Sequence, residues 1–292
     1  MMYTCQSETG RIRSVFLKKA ADAFGDEKTL SAQWQTLNYL SQPILAAANN
    51  EYAQFESFFS AQGAEIFYLP PGKSAYPDSI YCRDAAIATD QGMILCNMGK
   101  PARKQEPIAM KTEFENRGIK ILGQIDQPGT LEGGDVAWID TKTLAVGESY
   151  RTNEAGIEQL RALLRPSGVN LVLVPLPHYK GENDVFHLMS IFSPIDQDLA
   201  LVYSPLMPIT FRNYLLGRSM KLIEVPDSEF GTMGCNVLSL APRECLMLTG
   251  NPLTLEKLKK AGCHMATYTG MEISLKGGGG PTCLSRPILR EC

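Results

Sequence analysis

The 292-residue chain has no C-x-x-C pair among its eight cysteines, only three histidines, and no surplus of basic charge, with 28 Lys and Arg against 31 Asp and Glu. Each shortage excludes something. Cysteines scattered singly at 5, 82, 96, 235, 245, 263, 283 and 292 do not spell a structural zinc site, and in a cytosolic chain they argue against a disulfide framework. Most read as small buried apolar residues. A net charge of −3 argues against nucleic acid or an anionic membrane as partner. No apolar run approaches the roughly 20 residues of a bilayer span. The opening MMYTCQSETGRIRSVFLKKA lacks the basic-then-apolar order of a secretory leader, so the expectation is a cytoplasmic protein. Any chemistry that needs an imidazole must draw on His178, His187 or His264.

What is present is an internal period. From Ser79 the chain restates one pattern: an apolar strand opened by a polar residue, a turn, a second strand, an amphipathic helix and a third strand. Unit one reads IYCRDAAIATDQGMILCN, a helix near 103–117, then IKILG; unit two reads EGGDVAWIDTKTLAVG, a helix near 153–164, then NLVLVPLP. Unit three reads VFHLMSIFSPIDQDLALVYS, a helix near 209–217, then KLIEVP; unit four reads GCNVLSLAPRECLMLTG, a helix near 253–261, then HMATYTG. The polar residues that open the first strands are Asp84, Asp135, His187 and Asn236, followed by Cys283, at separations of 51, 52, 49 and 47. The fifth unit is split. Its first strand, CLSRPIL, lies near the C-terminus, while RSVFLKKA, a helical stretch over 33–62 and AEIFYLP lie near the N-terminus. The expectation is one catalytic domain over 1–292, in which the two ends join to close a ring of five α/β units. Such units bury their apolar faces by stacking, and a ring leaves few open strand edges. A doubly wound α/β sheet would alternate in the same way, but it gives no reason for reactive side chains to recur at one position.

The residues that bear chemistry sit at those positions or beside them. Gly277–Gly280 run almost directly into Cys283. Such a loop lets backbone approach a ligand, and its N–H groups would favour a thiolate, although a mobile loop beside a buried cysteine explains it as well. FHLMS places His187 inside an apolar strand. That describes a satisfied core histidine, except that its ring position is the one Cys283 holds. LEGGDV brings Glu132 and Asp135 to the head of a strand, where a carboxylate orients an imidazole or clamps a guanidinium, or simply makes a polar turn. Asp78 and Asp84 in DSIYCRD face the proposed centre and suit a planar cation; a turn aspartate and an ion pair with Arg83 are the alternative. Arg103 and Arg151 lead into helices, either as planar forks for a carboxylate or as surface charges.

In this order DSIYCRD, the pair Arg103 and Glu106, LEGGDV, YRTN, FHLMS and GGGGPTC resemble the guanidino-group-modifying superfamily of arginine deiminases, dimethylarginine dimethylaminohydrolases and amidinotransferases. The resemblance covers nearly the whole chain. It implies a five-bladed pseudo-symmetric α/β propeller of strand-strand-helix-strand units, in agreement with the ring. It implies Cys283 as nucleophile, His187 as general acid and base, and Glu132 supporting His187. Asp78, Asp84, Arg103 and Arg151 would bind substrate, with Asp135 and Asn236 completing the set; no metal or organic cofactor is implied. Two positions depart from the pattern. Met189 stands where deiminases and amidinotransferases carry an aspartate, which would leave apolar space for an N-alkyl group. Arg83 stands where dimethylarginine hydrolases usually have glutamate. The implied reaction is hydrolysis of arginine or an Nω-substituted arginine to citrulline plus ammonia or an amine, through a covalent thiouronium. Amidino transfer to an amine acceptor is the nearest rival, and a non-catalytic guanidino-compound binder the second. The expected partner is a small guanidino molecule, with a homodimer as the one assembly entertained.

Overall fold

In the computed structural model, residues 4–71, 77–184 and 186–291 are described. Their strands form five separate three-stranded sheets, all built alike. In blade one, β3 (Ala86–Thr89) runs antiparallel to β4 (Gly92–Leu95), and β4 runs parallel to β5 (Ile121–Gln124). Blade two repeats this with β6 (Val136–Asp140), β7 (Thr143–Glu148) and β8 (Asn170–Pro175). Blade three uses β9 (Phe192–Asp196), β10 (Leu199–Val202) and β11 (Lys221–Glu224), and blade four uses β12 (Leu238–Ala241), β13 (Glu244–Leu248) and β14 (His264–Tyr268). Blade five joins the two ends of the chain: β15 (Ser285–Arg290) pairs antiparallel with β1 (Ile12–Leu17), which pairs parallel with β2 (Glu65–Tyr68). This is the expected five-bladed α/β propeller, split fifth blade included.

Side-chain hydrogen bonds tie the first strands into a ring. Arg286 Nη1 of β15 donates to Ala86 O of β3 at 2.8 Å, and Trp138 Nε1 of β6 donates to Ala88 O of β3 at 3.0 Å. Ser239 Oγ of β12 donates to Pro194 O of β9 at 2.8 Å, and Arg290 Nη1 of β15 to Ser239 O of β12 at 2.8 Å. Between blades two and three, the Leu188 N–H just ahead of β9 donates to Asp135 Oδ1 just ahead of β6 at 3.0 Å.

The helices cover the outer faces. α5 (Glu154–Leu164) shows why: Asn153 caps it by accepting the Gly156 N–H at 2.9 Å, and Ile157, Leu160 and Leu164 form one buried stripe. Gly168, at φ 66°, lets the chain turn back into β8. α4 (Glu106–Asn116), α6 (Ile209–Gly217) and α8 (Pro252–Lys260) occupy the same place in blades one, three and four, with the short α7 (Asp227–Phe230) after β11. The helical stretch expected over 33–62 is instead α2 (Glu27–Gln33) and α3 (Leu45–Ala61), after a short α1 (Ala20–Phe24). The break has two local causes: Asn38 takes a left-handed φ of 66°, and Pro43 disfavours helix in the residue before it.

Residues 4–10 close the ring at the end away from the strand starts. Gln6 N–H donates to Asp90 Oδ1 at 2.8 Å and its Nε2 to Thr141 O at 2.6 Å, bridging the hairpins of blades one and two. Glu8 reaches inward to Arg83 Nη2 at 2.7 Å. Arg83 is 0% exposed and also donates to Val136 O at 2.9 Å.

Candidate active site

The five polar positions gather at the strand starts, one step earlier than expected. Asp84 and Asp135 lie in single 3₁₀ turns, Cys82–Ala85 and Gly133–Asp135, directly before β3 and β6. His187 is not inside a strand. It opens the turn Leu188–Ser190 ahead of β9, with its N–H donating to Ser190 Oγ at 3.1 Å and its carbonyl accepting the Ser190 N–H at 2.9 Å. Leaving the sheet frees these side chains from strand alternation and lets them point into the ring.

A small cavity of about 20 Å³ is lined by Asp78, Tyr81, Asp84, Lys100, Arg103, Glu132, Arg151, Gly277–Gly279 and Cys283. A wider cavity of about 210 Å³, bounded by Leu37, Phe186, Phe230 and Asn236 among others, shares Gly277 and Gly278 with it. His187 stands behind the inner wall. Its Nε2 is 2.9 Å from Glu132 Oε2, and its Nδ1 is 4.0 Å from Asp84 Oδ1. The Lys100 backbone N–H fixes the other Glu132 oxygen at 3.1 Å. Burial opposes charge on both partners, yet Asp135, Asp84 and the Glu132 hydrogen bond raise the His187 pKa to about 9. The same pairing, against burial, holds Glu132 well below the usual carboxylate range. The pair is therefore an imidazolium and a carboxylate.

Cys283 contradicts one expectation. Its thiol is pushed up by burial and by Asp84, which together outweigh the lowering contributions of Thr282, Arg83 and the Gly280 backbone. Much of the loop's donor capacity is spent within the fold: the Gly278 and Gly279 N–H groups bond Ser274 O, and the Thr282 N–H bonds Asn236 Oδ1 at 3.1 Å. Asn236 Nδ2 lies 3.6 Å from the sulfur. The glycines serve close approach, since a Cβ at Gly279 would collide with the Tyr81 ring and one at Gly280 with the Asn236 side chain. The seven described cysteines are all buried free thiols; Cys292 lies outside the described residues.

Two further expectations are corrected. Asp135 does not reach the cavity: its oxygens accept from Ser149 Oγ at 2.6 Å and from the Leu188 N–H, and burial raises its pKa to about 6. Met189, 2% exposed, packs with Leu188, Ile191 and Phe192 in the core of blade three and offers no apolar space beside Cys283. The turn that aims His187 at the ring sends Met189 the other way. Arg83 likewise turns from Asp84 toward Glu8. Asp84 pairs instead with Arg103 Nη1 at 2.6 Å through Oδ2, leaving its buried Oδ1 with no hydrogen bond and only the 4.0 Å approach of His187 Nδ1. Lys100 was not singled out in the sequence. It lies four residues after Cys96, and nothing in that spacing tells a site lysine from a surface one.

Asp84, Glu132 and His187 bring one ligand atom each within 4.8 Å of one another, a spacing that would suit a cation. In each case the charge is already matched: Glu132 by His187, and Asp84 by Arg103. A sulfur and carboxylates on one pocket, with an imidazolium bonded to one of those carboxylates behind the wall, suit attack on a flat, positively charged carbon.

Comparison with known proteins agrees. Residues 26–290 match the family described as N,N dimethylarginine dimethylhydrolase, eukaryotic. The uncharacterized protein YkgA of Bacillus subtilis is 30% identical over 243 residues, 83% of this chain and 80% of that one. The N(G),N(G)-dimethylarginine dimethylaminohydrolase of Streptomyces coelicolor is 29% identical over 237 residues, 80% of this chain and 83% of that one. The arginine deiminase of Latilactobacillus sakei is 26% identical over 80% of this chain, which spans only 65% of its length. In fold, the chain is similar to the Pseudomonas aeruginosa dimethylarginine dimethylaminohydrolase solved with citrulline, at TM-score 0.76 and 22% identity over 94% of this chain and 98% of that one. It is also similar to the amidinotransferase SxtG of Microseira wollei, at TM-score 0.80 and 16% identity over 100% and 98%. The chain belongs to the dimethylarginine dimethylaminohydrolase family of the guanidino-modifying superfamily, and is a cysteine hydrolase of amidine C–N bonds.

Proposed function

We propose that the substrate is arginine or an Nω-methylated arginine, and the product citrulline plus ammonia or a methylamine. The observation that carries this is the small cavity on which Cys283, Asp84 with an oxygen that makes no hydrogen bond, and the His187-bound Glu132 meet. An incoming guanidinium pairs with Asp84 Oδ1, and its charge beside the sulfur lowers the raised thiol pKa, so the proton leaves to solvent as substrate binds. The thiolate adds to the guanidinium carbon. His187 Nδ1, the ring nitrogen not bonded to Glu132, protonates the departing nitrogen as the C–N bond breaks. A thiouronium remains on Cys283. Neutral His187 then takes a proton from water, the hydroxide adds to the same carbon, and the C–S bond breaks to release the ureido group. Met189, packed in the core, takes no part in choosing between a methylated and an unmethylated nitrogen. The test is citrulline release from L-arginine and from Nω-methylarginines, with mass spectrometry of the quenched enzyme. Turnover of at least one compound and an adduct on Cys283 are expected. Release of ornithine that requires an added amine would point to amidino transfer, and neither product from any of the compounds would end the proposal.

A further inference from the structure

We infer that the ring axis behind Cys283 holds a small monovalent anion of the chloride class, bound between Arg83 and Arg286. The site lies outside the catalytic cavity and does not depend on which guanidino compound is the substrate. Arg83 stands in the turn Cys82–Ala85 before β3, and Arg286 stands on β15. Two hydrogen bonds hold these segments together. The Arg83 backbone N–H donates to Cys283 O at 3.1 Å, three residues before Arg286, and Arg286 Nη1 donates to Ala86 O at 2.8 Å, three residues after Arg83. The side chains are 0% and 4% exposed, so two guanidiniums share one enclosed space.

Their hydrogen-bond accounts do not close within the protein. Arg83 spends Nη2 on Glu8 Oε1 at 2.7 Å and Val136 O at 2.9 Å. Among the described residues nothing accepts from Arg83 Nε or Nη1, or from Arg286 Nε. The first two nitrogens offer three N–H groups and the third a fourth.

The charges do not close either. Burial and the neighbouring Arg83 push the Arg286 pKa down to about 10, with Glu8 opposing, so at neutral pH Arg286 stays a cation. Glu8 is the ion-pair partner of Arg83, and Asp84, next along the chain, is bound to Arg103. Two guanidiniums against one carboxylate leave one positive charge over. Arg290, which bonds Gly10 O and Ser239 O, is not needed for that count. Water could satisfy the free N–H groups, but it would leave the charge, and an unbalanced buried cation is strongly unfavourable. A single monovalent anion answers both. The enclosure favours a one-atom ion over a phosphate or sulfate, whose four oxygens need more room. Glu8 also lines a cavity of about 530 Å³ at the end of the ring away from Cys283, which gives the ion an approach. The other acids on that wall, Asp140, Asp196 and Glu291, are paired with Arg218, Arg243 and Arg13.

The experiment refolds the full chain from urea in sodium chloride, sodium bromide or sodium gluconate at one ionic strength. Melting temperatures are compared, and anomalous scattering is recorded from crystals grown in bromide. The expected melting temperature is about 2 °C or more higher in either halide than in gluconate. The expected bromide peak touches both guanidiniums. Arg286→Met removes the surplus charge, keeps the Glu8–Arg83 pair and should erase both effects. If that variant does not fold, the two readouts on the parent decide alone. Absence of the peak from this position would overturn the assignment. So would a peak with no difference in melting, which would mark an adventitious ion only, or a difference in melting that survives undiminished in Arg286→Met.

Discussion

Burial alone would strip His187 of its proton; three carboxylates hold it on. Asp135, Asp84 and the hydrogen bond to Glu132 outweigh desolvation and set the pKa at about 9. Because the ring must carry a proton to release the leaving nitrogen, kcat should fall as pH rises through about 9. In Glu132→Gln the same limb should move down by about one unit or more, a loss of about 1.4 kcal/mol or more of preference for the charged ring. An unmoved limb in a pH–rate profile would remove His187 as the acid. Stability carries the same signature. The His187 contribution is complete below the ordinary histidine value of 6.5 and is lost as pH rises through about 9. The Glu132 contribution runs the other way, present above 4.5 and lost as pH falls through its depressed value. The carboxylates around the ring were visible in LEGGDV and DSIYCRD. Which of them touch substrate was not, because that depends on which lone pairs other groups have already taken. Asp135 is consumed by Ser149 and Leu188, and Arg103 by Glu106 and Asp84.

At the scale of elements, the turn before each first strand matters more than the strand. Gly134 shows the tolerance involved: a Cβ there would collide with His187 Nδ1 and lie 2.8 Å from Asp84 Oδ1. Gly134→Ala should therefore displace the ring and cost about 10²-fold in kcat, as misplacements of about 1 Å can, while far-UV dichroism stays unchanged. A loss below about threefold would show that the turn yields without moving the imidazole. Strand and helix positions are legible because short apolar runs and a 3.6 period survive in the chain; the helix over 209–217 agrees at both ends. Side-chain direction inside a 3₁₀ turn has no such period. That is why the apolar run FHLMS suggests a strand around His187, whereas Met189 enters the pocket only through the resemblance.

For the whole molecule, the ring needs its axis filled, and Glu8 does this with three arginines. Arg83, Arg286 and Arg290 outweigh the cost of burying Glu8 and keep its carboxyl charged. Glu8→Gln leaves Arg83 buried without its ion-pair partner and should lower unfolding free energy by about 3–5 kcal/mol in urea melts. A change under about 1 kcal/mol would mean that water screens the cluster. The Arg83 departure stood out in the sequence, but its partner did not. Glu8 lies 75 residues away in a stretch without regular structure, and only ring closure brings the two together.

The split blade has a consequence for how the protein comes into being. On the ribosome, β1 emerges ahead of the other described strands, yet its antiparallel neighbour β15 follows all of them, two residues behind Cys283. Blades one to four can be sketched while that sulfur is still untranslated. A nascent chain therefore holds the acids and the imidazole without the nucleophile, and reactivity arrives in the same moment as topological closure.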